Sequence, residues 1–589
     1  MRLRRLMAAV VSVALAAALL APALPAGAGG DITIGIHVDE GPLTPYGYTF
    51  GNPGLQLVRV IYDTLFIMNL DREPEPWMVK DYQVSEDGLT WTLTLHEGIT
   101  FHDGKPLTSR DVEFTYNYMK GPSHAIWQGA VGSVTDIETP DEMTVVFHLE
   151  NPVPLFPQRP LAEVPILPAH IWEGVEEPRE FSDATGSGPF QLVEYRSDQY
   201  YRLEAHPDYF HPDWVPALES ITMPIIPDQT TLFSSLRAGE VDMATREIPP
   251  ELVEDLEMPG QIELAQGPSY VSTLLLINNE RPPFDQVSFR KALSLAIDAG
   301  YLVDTLRLGY GLPGSPGFVH PHSPWLDCSE ARDSDASPDP EGAGALLEDM
   351  GFSDITGDGY REDAQGEAFK QTILVYADRP ERVRAAEIIA EWLEDIGLRT
   401  EIQAMEAGTV DSLIWPEFDV AKGRDFDLAL WGWSAGIQEN PFSLREVLRS
   451  GGSLNVGAFS YPDMDRAAER LGEAEALEDI SPAVTEMAQL ASEQVPFVTL
   501  WYPDNVYGYR PEAYDGWTFV TGVGILDKLS LLTERTDQED VADPEEEAER
   551  TDQEAVADPE EEAAEGSVPW FWLAAAAILV GIYLYMRRR

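Results

Sequence analysis

The chain has 589 residues, with 101 Asp+Glu against 39 Lys+Arg and a formal net charge of −62. A charge this negative excludes nucleic acid as a partner, because phosphates are repelled, while 44% hydrophobic and 10% aromatic residues exclude a disordered acidic polymer. The length calls for two or more lobes.

Lysine is scarce, 7 against 32 arginines, which marks a surface selected to stay hydrated in high salt. The single cysteine, Cys328, excludes an intramolecular disulfide, a CxxC redox pair, a multi-cysteine zinc site and a lipoprotein anchor.

Residues 1–28 read as a signal peptide. Arg2, Arg4 and Arg5 precede an apolar run from Leu6 to Leu20, and Ala26-Gly27-Ala28 supplies small residues for cleavage. The run is too short to span a bilayer, and Pro22 and Pro25 follow it. The Arg4-Arg5 pair leaves both the general and the twin-arginine export routes open.

The body begins with a strand over Asp31 to Val38, whose isoleucines and valine alternate on one face. Leu55 to Met68 reads as a helix or a helix–strand joint. Trp91, Leu93 and Leu95 alternate with threonines, and Asp87-Gly88 and Asp103-Gly104 supply the positive φ of tight turns. Thr108 and Asp111 form a helix start that runs toward Met119. A strand pair follows, Gly188 to Tyr195 and Tyr200 to Ala205, and Arg290 to Ala299 reads as a helix. Strands at Thr372 to Tyr376, Leu398 to Ile402 and Asp427 to Trp431 then alternate with a helix over Arg382 to Ile396. Such alternation implies an α/β lobe.

Beyond the body, ERTDQEDVADPEEEA is followed at once by ERTDQEAVADPEEEA, the copies differing at Asp540 and Ala555. Residues 533–567 hold 16 acids and 2 arginines with no apolar face, so an extended acidic stalk is expected. Val568 to Met586 is then long enough to cross a bilayer, with Trp570 and Trp572 at one edge and Tyr583 and Tyr585 at the other. Arg587, Arg588 and Arg589 are expected to stay cytoplasmic, leaving the body outside. The tether and the acidity together point to an archaeal cell surface in a salty habitat.

Several motifs bear on chemistry. Gly432-Trp433-Ser434-Ala435-Gly436 fits the GxSxG nucleophile elbow. That fold needs a histidine after the serine, yet all ten histidines lie upstream of Ser434, and Asn440-Pro441 interrupts the helix that should follow. His96-Glu97 with His102 is not HExxH, and SxxK at 288–291 lacks its companion motifs. Asp354-Ile355-Thr356-Gly357-Asp358-Gly359 resembles half of a calcium loop, but Gln365 stands where a bidentate glutamate belongs. It reads as a tight turn, and the cluster of His320, His322, Asp327 and Cys328 as a rigid surface turn. No catalytic residue, metal or cofactor is expected.

The run at 58–118, with Phe101 to Val112 at its centre, resembles a family signature. So do GSGPFQLVEY (186–195), HPDYF (206–210), LRAGEVDM (236–243), INNERPPFDQVSFRKALSLAID (277–298), GFSDITGDGYRED (351–363) and DFDLALWGW (425–433). In this order they resemble the extracellular solute-binding proteins of the dipeptide/oligopeptide type, family 5, which serve ATP-binding-cassette importers.

The resemblance implies an α/β, two-lobed, periplasmic-binding-protein-like fold (type II) with an extra subdomain in lobe I, here followed by the C-terminal transmembrane helix. Lobe I would comprise 29–275 and 497–532, and lobe II 276–496, closing about a two-strand hinge. It also implies a small solute as partner, foremost a peptide, and permease subunits that receive it. Oligosaccharide-type and nickel-type members keep those ligands open.

In peptide binders an aspartate after the GW motif pairs with the ligand's amine. The corresponding position here is Gly436, with Glu439 as a substitute three residues on. Tyr46, Trp431, Trp433, Gly436, Glu439, Trp501 and Tyr502 are the expected ligand-binding residues.

Overall fold

The computed structural model describes residues 30–47, 53–121, 125–326 and 337–535. The signal peptide at 1–28, most of the stalk, the apolar run at 568–586 and the tail at 587–589 lie outside them. Among the described residues no helix is long and apolar enough to cross a membrane.

Twelve strands form one mixed sheet that runs through both lobes. Lobe I contributes Asp31–Gly35, paired in parallel with Ser220–Pro224 and Met243–Ala244, and the antiparallel pair Phe190–Arg196 and Tyr200–Ala205 beyond them. In lobe II, Lys370–Tyr376 lies parallel to both Arg399–Met405 and Leu428–Trp433. The apolar run of Leu428–Trp433 is that of a strand buried on both faces, whereas Arg399–Met405 is a half-exposed edge strand, and the helix Pro380–Asp395 covers one face of this sheet.

One long strand, Phe497–Tyr509, joins the lobes. Its first half pairs with Ser272–Ile277 in lobe II and its second half with Glu263–Pro268 in lobe I. The neighbouring chain thus crosses between lobes at 268–272, where Tyr270 takes a positive φ of 58°.

Val79–Val84, Thr90–Leu95, Thr144–Leu149 and Val134–Glu138 form a separate four-stranded antiparallel sheet. The expected capping box is present: Thr108 and Asp111 open the helix Ser109–Met119, and the Thr108 N–H donates to Asp111 Oδ2 at 2.9 Å.

The motif residues lock segments together. The Gly186 N–H donates to His102 Nδ1 at 3.2 Å, which leaves the His102 Nε2–H to donate to the Gly188 carbonyl at 3.0 Å. Burial pushes the His102 pKa down to about 4, consistent with this neutral tautomer. Glycine is required at 186 and 188 because a Cβ would meet the Ile61 carbonyl oxygen at 2.0 Å and that of Val60 at 2.4 Å. Deeper in lobe I the buried Asp63 pairs with Lys528 of the return segment.

Three elements differ from the sequence reading. The helix expected over Arg290 to Ala299 begins earlier, as Val287–Ala296, and a second helix, Ala299–Leu306, follows under an Asp298 cap. A short helix, Ala435–Glu439, does follow Ser434, because Asn440 caps the next helix rather than ending helical structure. The first stalk residues belong to the fold: Leu532–Glu534 pairs with Trp214–Pro216, and the Arg535 N–H donates to the Asp213 carbonyl at 2.7 Å.

Candidate functional site

Alternation along Leu428–Trp433 places Trp431 and Trp433 on one face of the lobe II sheet, at the carboxyl edge of its parallel strands. Open α/β sheets bind ligands at that edge. Trp433 lies 6.2 Å from Trp431 and 6.1 Å from Trp415, ring centre to ring centre, and Trp431 lies 6.0 Å from Tyr376. The Tyr376 hydroxyl donates to Asp411 at 2.7 Å. The indole N–H groups of Trp415, Trp431 and Trp433 are buried with no acceptor. Three unspent donors in one cluster are costly for packing and suited to a polar solute.

Arg382, in the first turn of Pro380–Asp395, completes the edge. Its guanidinium lies 6.0 Å over the Tyr376 ring, and a Cβ on Gly432 would meet it at 2.5 Å. Burial lowers its pKa, with Arg379 adding to the effect.

Glu439, at the end of its short helix, reaches across to lobe I, where Arg72 Nη2 approaches Oε1 at 3.0 Å. Arg72 sits at a φ of 64° in the turn between the strands Phe66–Met68 and Pro74–Pro76. The Trp325 indole donates to the Glu439 carbonyl at 2.8 Å, and a Cβ on Gly522 would meet Oε1 at 2.2 Å. Leu155 of lobe I makes a second bridge by joining the apolar cluster of lobe II that holds Trp431 and Trp433. The lobes are therefore closed on one another.

The remaining expected residues fall elsewhere. Gly436 is exposed, and a Cβ there would meet nothing within 4 Å. Trp501 and Tyr502 are corrected to core residues of the joining strand. Trp501 packs with Leu275, Leu430 and Leu500, while the Tyr502 hydroxyl donates to the Phe318 carbonyl at 2.6 Å. Both point into lobe II because the strand is enclosed on its two faces, a fact its apolar sequence does not distinguish from a cleft wall. Tyr46 packs in the lobe I core, 6.2 Å from Tyr118 and 5.8 Å from Trp172, and burial raises its hydroxyl pKa.

Arg72, Trp415, Tyr376 and Arg382 were missed. Tyr376 ends a predicted strand and Arg382 opens a predicted helix, so the end of a strand and the start of the helix after it are the signals for them. Trp415 and Arg72 sit in irregular chain with no such signal.

Among the described residues no histidine hydrogen-bonds Ser434, which stands exposed at the start of Ala435–Glu439. Asp354 accepts from the N–H groups of Gly357, Asp358 and Gly359, a self-satisfied turn. His320 is buried between Tyr270 and Tyr502, its Nδ1 accepting from the His322 N–H at 3.0 Å. Among the described residues no three His, Cys, Asp or Glu side chains are grouped to hold a metal.

Two lobes, two joining segments and a polar-aromatic face at the strand ends define a solute-binding protein. The family described as bacterial extracellular solute-binding proteins, family 5 (middle region), matches residues 73–455, and the chain belongs to that family. It is 25% identical over 505 residues to the oligopeptide-binding protein AppA of Bacillus subtilis, covering 83% of this chain and 89% of that one. The structure of the substrate-binding protein CtaP from Listeria monocytogenes superposes with a TM-score of 0.73 at 24% identity, covering 86% of this chain and all of that one. NikZ from Campylobacter jejuni, solved with Ni(L-His), gives 0.66 at 21% identity, covering 85% and 99%.

Proposed function

We propose that this protein is the surface-anchored receptor of an ATP-binding-cassette importer. It captures peptides or similar small solutes by closure of its lobes and delivers them to permease subunits in the membrane. The observation that carries this is the cluster of Trp415, Trp431 and Trp433, whose indole donors lack acceptors at the strand ends of lobe II. The family and the oligopeptide-binding relative support a peptide as the solute. Export by residues 1–28, the acidic stalk and the helix at 568–586 complete the arrangement, with the body outside and the last three arginines inside. The acidity serves solubility in salt, as for an archaeal surface protein, and carries no information on the ligand.

Chemistry on the solute is not part of this reading, since closure and release need no bond to break. Native mass spectrometry of the chain from its own host tests it. One unmodified small solute per protein is expected, and a chemically converted solute overturns the proposal.

A further inference from the structure

The interlobe charges do not follow the chain as a whole. In a protein with 62 more acids than bases, the closing edge gathers three arginines of lobe I, Arg59, Arg72 and Arg159, against two glutamates, Glu163 and Glu439. Both acids already have a counter-charge: Arg72 lies 3.0 Å from Glu439 Oε1, an oxygen that is buried without a hydrogen bond, and Arg159 lies 3.3 Å from Glu163.

Arg59 is the cation left over. It lies in the last turn of the helix Gly54–Ile61, and among the described residues no carboxylate pairs with it. Its Nε–H is buried and has no acceptor. Arg59 and Glu439 are both close enough to act on the Glu163 carboxyl, so the five groups form one cluster spanning the closure. Burial raises the Glu163 pKa, which adds to the cationic excess.

A buried guanidinium N–H without an acceptor is costly, and a carboxylate is its best-matched partner. Conversely, a solute ammonium entering here would meet a glutamate already neutralised and three arginines that repel it. We propose that this cluster receives the anionic end of the solute, with Arg59 as its docking cation and Arg72 as the specificity-determining residue that withdraws Glu439 from amine recognition.

This inference rests on the peptide reading but can fail separately from it. Tri- to pentapeptides would be titrated calorimetrically into the full chain in four forms: free, N-acetylated, C-amidated and doubly capped. Amidation is expected to weaken binding about tenfold or more, the worth of one charge-assisted hydrogen bond, and acetylation to change it by less than about threefold. Arg59→Gln should abolish the penalty for amidation, and Arg72→Gln should make acetylation costly by freeing Glu439. The proposal is overturned if acetylation is the costly cap in the unaltered protein, or if neither variant shifts the preference.

Failure of every peptide form to bind would remove the peptide reading and leave the anion site to a second arm. In that arm, succinate replaces chloride at constant ionic strength while Tm is followed. A larger rise in the unaltered chain than in Arg59→Gln supports the site, and equal rises overturn it.

Discussion

Two buried polar constellations, one in each lobe, use their donors in opposite ways. In lobe I, Asp63 Oδ1 accepts from the Trp77 indole at 3.1 Å, from the Tyr209 hydroxyl at 3.2 Å and from Lys528, whose ammonium also reaches the Tyr62 carbonyl at 3.4 Å. Every donor there is placed, and only the lone pairs of Oδ2 are left over. In lobe II, Trp431 and Trp433 are buried and Trp415 half-buried, and their indole N–H groups, though enclosed, are all left without acceptors. Burial and aromatic character are shared, so neither separates a structural site from a binding one. What differs between these two constellations is the balance of donors and acceptors.

The largest expected effect breaks the lobe I constellation. Lys528→Met leaves the Asp63 carboxylate buried without its counter-charge and should cost about 3–5 kcal/mol of stability, read by thermal or denaturant unfolding. The double variant with Asp63→Asn removes both charges and should recover most of that loss. A single variant with unchanged Tm would show that the pair does not anchor the return segment.

Next in size is the contact between the GSG segment and the helix that precedes Asp63. Gly186→Ala places a methyl group 2.0 Å from the Ile61 carbonyl oxygen, backbone against backbone. A loss of about 1–3 kcal/mol is expected from such overpacking, measured by the shift in denaturant midpoint.

The lobe II constellation should respond in the opposite sense. Trp433→Phe keeps a six-membered aromatic ring but deletes the pyrrole with its unspent N–H, so the relief of an unpaired donor offsets much of the lost packing and the ligand-free protein should change its Tm little. Solute affinity should fall about tenfold if that N–H is given to the solute, since one hydrogen bond is worth about 1 kcal/mol and more where its partner is charged. A drop in Tm with unchanged affinity would make the tryptophan a core residue after all.

Much of the fold was legible because its segments carry short-range signals. The alternation at Asp31–Gly35, the Thr108–Asp111 capping box and the strand–helix–strand order at 370–405 each depend on neighbours within a few residues. The joining strand was legible as a strand but not as a wall or a core, because Trp501 and Tyr502 are enclosed by segments more than 170 residues away in the chain, among them Leu275 and Phe318. Trp431 and Trp433 were legible at the strand end beside the GW motif. Arg72 was not, since its role exists only once lobe I closes on Glu439. Arg59 was hidden for a different reason, being one arginine inside an apolar helix whose lack of an acceptor emerges only from its tertiary surroundings.

The smallest effect asks whether a fully partnered acid is structural in lobe II as well. Glu446 accepts from Arg449 at 2.7 Å through each oxygen and from the Ser453 N–H at 3.0 Å, with Arg445 beside it. Burial alone would raise its pKa, but the hydrogen bonds from Arg449 and Ser453 override this and push it down to about 2. A carboxyl depressed in the folded state stabilises that state above its unfolded pKa, near 4.5, and the contribution disappears as pH falls toward 2. The Tm of the unaltered chain should therefore decline more steeply from pH 4.5 to pH 2 than that of Glu446→Gln. Solute affinity at neutral pH should be the same for both, because Glu446 has its donors already and offers nothing to a ligand. A variant that lost affinity there would break the contrast between the fully partnered constellations and the tryptophan cluster.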